Sequence, residues 1–160
     1  MMPINAIWAC SFLAADRIHP PELFHDRFLT LALGLLQADG TMSLGNAGHC
    51  PLMVLRANGS VELVPPHGPI LGLLPAAKWG VAGVQLAKGD SVVFYSDGIS
   101  ESFSPTSEEF GVEGVQRTLA GLAGKDAEAV GRALLEAAAT HRAGREADDD
   151  VTLMVLRYRG

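Results

Sequence analysis

Two apolar runs bounded by carboxylates constrain this chain most. The stretch Gly89-Asp90-Ser91-Val92-Val93-Phe94-Tyr95-Ser96-Asp97-Gly98-Ile99-Ser100-Glu101 carries an apolar strand that stops at an acid-glycine turn, and Asp148-Asp149-Asp150-Val151-Thr152 leads three acids into another apolar strand. Burial anchors a strand interior, so an aspartate at its end is held at the rim of the core, where convergent oxygens can hold a hard divalent cation. The pattern points to phosphoryl chemistry.

Composition narrows the classes. With 160 residues, 48% of them hydrophobic, the chain is long enough for one domain with a single substantial core. A net charge of −6 and no cluster of Lys or Arg argue against a nucleic-acid partner. Cys10 and Cys50 stand in unlike contexts, which disfavours a disulfide framework or zinc site and makes a reducing cytoplasm the expected location. The apolar opening at 4–15 is shorter than the ~20 residues needed to span a bilayer and lacks the basic start and cleavage site of a signal peptide. A soluble protein with no membrane segment is expected.

Periodicity divides the chain. Ile4, Ile7, Trp8, Phe12 and Ala15 share one face at helical spacing, which predicts an amphipathic helix ending before Pro20-Pro21. Residues 28–36 and 41–45 read as strands turned at Ala38-Asp39-Gly40. Residues 51–56 and 61–64 flank Ala57-Asn58-Gly59-Ser60, and Asn-Gly between apolar runs is a strong hairpin signal because both residues tolerate positive φ. A Gly- and Pro-rich loop at 65–75 crosses to strands at 81–86 and 91–96. Phe110, Val115, Leu119 and Leu122 then suit one helix, and Val130, Leu134, Ala137 and Ala138 a second, with Asp126 as its N-cap. A last strand is expected at 151–157. Strands, two helices and a returning strand imply an α+β domain with helices on one face of an antiparallel sheet.

The order of motifs resembles the metal-dependent PPM family of serine/threonine phosphatases, in its bacterial SpoIIE-type branch. Five matches carry the resemblance from about residue 20 to residue 157: Arg27-Phe28-Leu29-Thr30, Asn46-Ala47-Gly48-His49-Cys50-Pro51, Gly68-Pro69-Ile70-Leu71-Gly72-Leu73, the stretch 89–101, and Asp149-Asp150-Val151-Thr152. The resemblance implies a PPM-type β-sandwich, two antiparallel sheets flanked by helices, in one domain over 1–160. It implies hydrolysis of phosphoserine or phosphothreonine with two Mg²⁺ or Mn²⁺ ions, which lower the pKa of a water and neutralise phosphate oxygens. Carried over by position, Asp97 and Asp149 bind one metal, Asp150 is a secondary ligand or holds a metal-bound water, and Gly98 lets the backbone turn tightly at the site. Ser96 stands where threonine is commoner. The implied substrate is a phosphorylated regulatory protein such as an anti-anti-sigma factor.

The family's opening strands, with a further metal-binding aspartate and a bridging aspartate-glycine pair, have no counterpart here. Asp16, Glu22, Asp26 and Asp39 do not end apolar strands in the needed order. The fold is therefore expected to be incomplete at its N-terminus, as a fragment, an internal start or a shortened homologue, and the chain alone to be weakly active or inactive. The competing function is a non-catalytic interaction module of a partner-switching system.

Plainer readings stand beside these. An aspartate before glycine is common at strand ends, and a charge run is usually a solvated loop, the reading kept for Asp148. His49 and Cys50 are adjacent on an extended segment and point to opposite faces, so packing is favoured over a metal pair. His19, His25, His67 and His141 read as surface or linker residues, Ser96 and Ser100 lack a nucleophile elbow, and Glu101 is left out of catalysis.

Overall fold

The computed structural model describes residues 29–74 and 76–160. The expected helix at 4–15 and the Pro20-Pro21 linker lie outside them. The described residues form seven strands and three helices: β1 (Leu31–Leu36), β2 (Thr41–Ala47), β3 (Leu52–Leu55), β4 (Val61–Val64), β5 (Val81–Gln85), β6 (Ser91–Tyr95), α1 (Asp97–Ser100), α2 (Gly111–Ala120), α3 (Ala127–Arg142) and β7 (Leu153–Arg157). They fall into two compact units, one running through His49 and including Pro65–Leu86, the other comprising Cys50–Val64 and Ala87–Gly160. Among the described residues no helix is long and apolar enough to cross a membrane.

The first unit holds an antiparallel sheet in the order β1-β2-β5. Its β1–β2 hairpin turns where the sequence predicts, with Gly40 at φ 85° and the Asp39 carboxylate accepting from the Thr41 amide at 2.9 Å. The strand expected over 28–36 begins at Leu31. Leu29 instead makes an isolated antiparallel bridge to Leu71. The Gly- and Pro-rich loop packs on the end of β2: the Gly48 amide donates to the Gly68 carbonyl at 3.0 Å and the His67 amide to the Asn46 carbonyl at 2.9 Å. Gly48 sits at φ +65°, and a Cβ there would overlap Ile70. Two of the five resembling motifs are thus halves of one packed corner.

The second unit holds the antiparallel sheet β4-β3-β6-β7. Every residue of β3 and β6 is buried, so both faces of these strands are covered, which is why they read as continuous apolar runs without alternation. One face carries the core: Met53, Leu55, Val93 and Tyr95 pack with Ile99, Val115, Leu119, Val130, Leu134 and Ala138. The last three recur at i, i+4 and i+8, the stripe that makes α3 amphipathic. Asp126 caps α3 as expected, its carboxylate accepting from the Ala129 amide at 2.8 Å. Phe110 stands at the N-cap of α2, and Leu122 lies beyond its end.

Asp90 is an organising residue that the sequence does not advertise. Its carboxylate takes the Ala57 amide at 2.8 Å, the Ala87 amide at 3.0 Å and Arg56 Nη1 at 2.8 Å. Burial opposes its ionisation, but Arg56 and the two amides prevail and hold it below the usual carboxylate range. Arg56 also forks onto Glu62, at 2.8 and 2.7 Å, which binds the β3–β4 hairpin to the turn before β6.

Candidate metal-binding turn

Strands β6 and β7 pair antiparallel, with Tyr95 opposite Leu153. This is the adjacency a shared site requires, with the exit of one strand beside the entry of the other. The residue between β6 and the turn latches them. Ser96 Oγ donates to the Asp150 carbonyl at 2.8 Å and accepts from the Thr152 amide at 2.8 Å, while the Ser96 amide donates to the Thr152 carbonyl at 2.9 Å.

Beyond Ser96 the chain closes into the single turn α1. The Ile99 amide reaches the Ser96 carbonyl at 3.0 Å and the Glu101 amide the Asp97 carbonyl at 2.6 Å. Gly98 is buried within it, and a Cβ at Gly98 would lie 2.6 Å from the Asp150 carbonyl oxygen and 3.0 Å from that of Asp149. The glycine is therefore required for close approach between the two backbone segments. Its value lies in space, since its φ is outside the positive range.

Asp97, Asp149 and Asp150 are all exposed at this junction. Asp97 Oδ1 accepts the Gly98 amide at 3.0 Å and Asp149 Oδ1 the Asp150 amide at 2.7 Å, so each carboxylate is oriented by its own turn and keeps Oδ2 outside these bonds. Exposed hard oxygens on two adjoining strand ends fit a divalent cation in donor chemistry. Among the described residues no three His, Cys, Asp or Glu side chains are grouped as a metal cage. Asp148 is exposed, as expected, and faces Arg145 at 3.7 Å.

The neighbouring groups are poor nucleophiles. Burial, then the negative charge of Asp97, raises the half-buried Cys50 thiol above its ordinary value, which keeps it protonated at neutral pH. Burial does the same to Tyr95, whose hydroxyl is enclosed without a hydrogen-bond partner. His67 lies in the loop between β4 and β5, a linker position, and His141 in the last turn of α3. His141 Nε2 lies 2.8 Å from the Glu108 carbonyl and its ring packs on Phe110 with centroids 5.5 Å apart, while His67 is half-buried with Nδ1 enclosed. His141 is held by contacts distant in sequence, which spacing cannot reveal. The latch by Ser96 was likewise missed, although a hydroxyl residue directly before Asp-Gly at a strand exit is a signal that could have found it.

Two antiparallel sheets with helices match the PP2C phosphatase fold. The chain belongs to the SpoIIE family: residues 12–159 match the family model described as Stage II sporulation protein E. It is similar to the phosphatase domain of the cell fate determinant SpoIIE from Bacillus subtilis in its Mn-presoaked structure, at 26% identity and a TM-score of 0.66, covering 82% of this chain and 56% of that one. The RsbU and RsbW domains of Rv1364c from Mycobacterium tuberculosis match at 26% identity and a TM-score of 0.71, over 90% of this chain and 40% of that one. The SiaA-PP2C domain of Pseudomonas aeruginosa, at 15% identity and a TM-score of 0.78, covering 92% of this chain and 58% of that one, shares the fold. Among curated proteins, Protein IcfG of Synechocystis sp. (strain ATCC 27184 / PCC 6803 / Kazusa) is 31% identical over 93 residues, which are 58% of this chain and 15% of that protein. The chain thus spans less than two-thirds of each of these relatives.

Proposed function

We propose that this chain is part of a metal-dependent serine/threonine protein phosphatase that removes phosphate from a bacterial regulatory protein in the cytoplasm, as one SpoIIE-type domain. One observation carries the reading: the Asp97-Gly98 turn lies directly against the Asp149-Asp150 backbone, latched by Ser96. In this reading Asp97 and Asp149 hold one Mg²⁺ or Mn²⁺ ion, Asp150 holds it secondarily, and Gly98 admits the close approach of the two segments. The bound metals supply activation of water and neutralisation of phosphate charge. The chain's own part is placement. Ser96 fixes the spacing of the two strand ends, and the Gly98 and Asp150 amides fix the rotamers of the two carboxylates. Similarity to proteins named as a cell fate determinant and as RsbU and RsbW domains supports a phosphorylated signalling protein, of the anti-anti-sigma kind, as substrate.

The test is turnover of a phosphoserine protein, or of p-nitrophenyl phosphate, with Mn²⁺. The 160-residue chain should act barely above background, because few charged ligands compensate for dehydrating the cation. A version extended by the aspartate-bearing opening strands implied by the family should be active and lose that activity on Asp97→Ala or Asp149→Ala. Activity indifferent to Asp97→Ala would remove the assignment. An inactive extended chain that still binds the regulatory protein would point to the interaction-module alternative.

A further inference from the structure

We infer that Arg142 is a positioning residue for the Asp97-Gly98 turn, acting through Ser102. The inference rests on the phosphatase reading for what the turn holds, and on hydrogen bonds alone for how the turn is held. Arg142 stands in the last turn of α3, where a cation is favoured by the exposed helix carbonyls. Its Nη1 donates to Ser102 Oγ at 2.9 Å, and Ser102 Oγ donates to the Gly98 carbonyl at 2.9 Å.

The direction of this relay is fixed by chemistry. A guanidinium only donates, so the serine oxygen facing it must accept, and the single hydroxyl proton is left for Gly98. Ser102 is 3% exposed, so water is a poor substitute for either partner. Gly98 in turn abuts the Asp149 and Asp150 carbonyls with no space for a methyl group. A shift of its carbonyl therefore moves the turn relative to the acidic strand entry. Metal ligands tolerate only about 0.5 Å of such displacement.

Two further features set Arg142 apart from a space-filling residue. Its Nε is buried with no hydrogen-bond partner, an unfavourable arrangement retained while Nη1 is aimed at Ser102. The surrounding segment is also held independently: Arg145 Nη1 donates to the Ser104 carbonyl at 3.2 Å, and the Phe110 amide to the Ser102 carbonyl at 2.8 Å. Loss of the Arg142 guanidinium should therefore release the turn rather than unfold the loop.

The experiment measures Mn²⁺ binding to the 160-residue chain by titration of the free-ion spin-resonance signal, with amide hydrogen exchange across residues 98–102. Arg142→Ala and Ser102→Ala should each weaken binding about tenfold, as loss of outer-sphere partners does, and speed exchange at the Ile99 and Glu101 amides. The double variant should be no worse than the more affected single one, because both remove one relay. Arg142→Lys, which keeps one cationic donor, should restore binding to within about threefold of the parent on the same scale. Arg132→Ala, at an exposed position on α3, is the control and should change neither readout. Lowered thermal stability with unchanged Mn²⁺ binding and exchange would overturn the inference. Should Arg142→Ala fail to fold, Ser102→Ala decides alone. If the parent binds Mn²⁺ equally after Asp97→Ala, the phosphatase reading fails instead; if it binds none, the cation needs the ligands of the opening strands. Exchange at 98–102 then decides the positioning role, and unchanged protection overturns it.

Discussion

Gly98 has no room for a side chain, and the atoms that exclude one are backbone carbonyls of the two candidate ligands on the facing segment. A flexible side chain could give way, but a strand entry latched by Ser96 cannot do so cheaply. Gly98→Ala should therefore cost about 1–3 kcal/mol by overpacking and weaken Mn²⁺ binding about tenfold, measured by denaturant unfolding and metal titration on the same sample. Unchanged metal binding would mean that the turn and the strand entry are not one site. Asp97 and Asp149 present the complementary case, since they are exposed and their loss should affect metal binding far more than stability.

Among the elements, the β3–β4 hairpin and the turn before β6 depend on the Asp90 carboxylate, whose side chain is 3% exposed. Its folded pKa is depressed, so its contribution to stability is fully present above the unfolded value of about 3.9 and is lost as pH falls through the folded value. Arg56 is shifted upward, first through its bonds to Glu62, and stays cationic throughout. Asp90→Asn should cost about 2 kcal/mol at pH 7, because a charged acceptor of three donors is replaced by a weaker one. The cost should shrink toward pH 3. Parallel unfolding curves for parent and variant across pH 3–7 check this, and a pH-independent difference would show that the charge is immaterial. Glu62 also lies low because of Arg56, but it is largely solvent-exposed and should matter little.

For the whole molecule, the unpaired apolar surface bears on behaviour in solution. Among the described residues β4 and β7 are the outer strands of one sheet and β1 and β5 of the other, with Met154 on β7 54% exposed and Val81 on β5 53%. Open strand edges beside exposed apolar side chains favour association. Light scattering of the 160-residue chain should show mass rising with concentration, and the extended chain should show less. A stable monomer over a wide concentration range would instead indicate that the short chain is self-sufficient.

What was legible in the sequence was local. Asn58-Gly59 placed the β3–β4 hairpin, Asp126 marked the start of α3, and Val130, Leu134 and Ala138 marked its buried stripe, because caps, turns and periods operate within a few residues. The acidic strand ends at Asp97 and Asp149, and the order of motifs around them, were also readable, and they carried the family assignment. Only the tertiary structure decided how these ends meet. Ser96 bonds to a carbonyl 54 positions away, Arg142 to a serine 40 positions away, and Gly48 is needed because Ile70 packs against it. The turn α1, four residues long, is also too short to show a 3.6-residue period. Bonds that close such distances depend on which strands become neighbours, and that choice is made by burial across the whole sheet, leaving no spacing in the sequence to read.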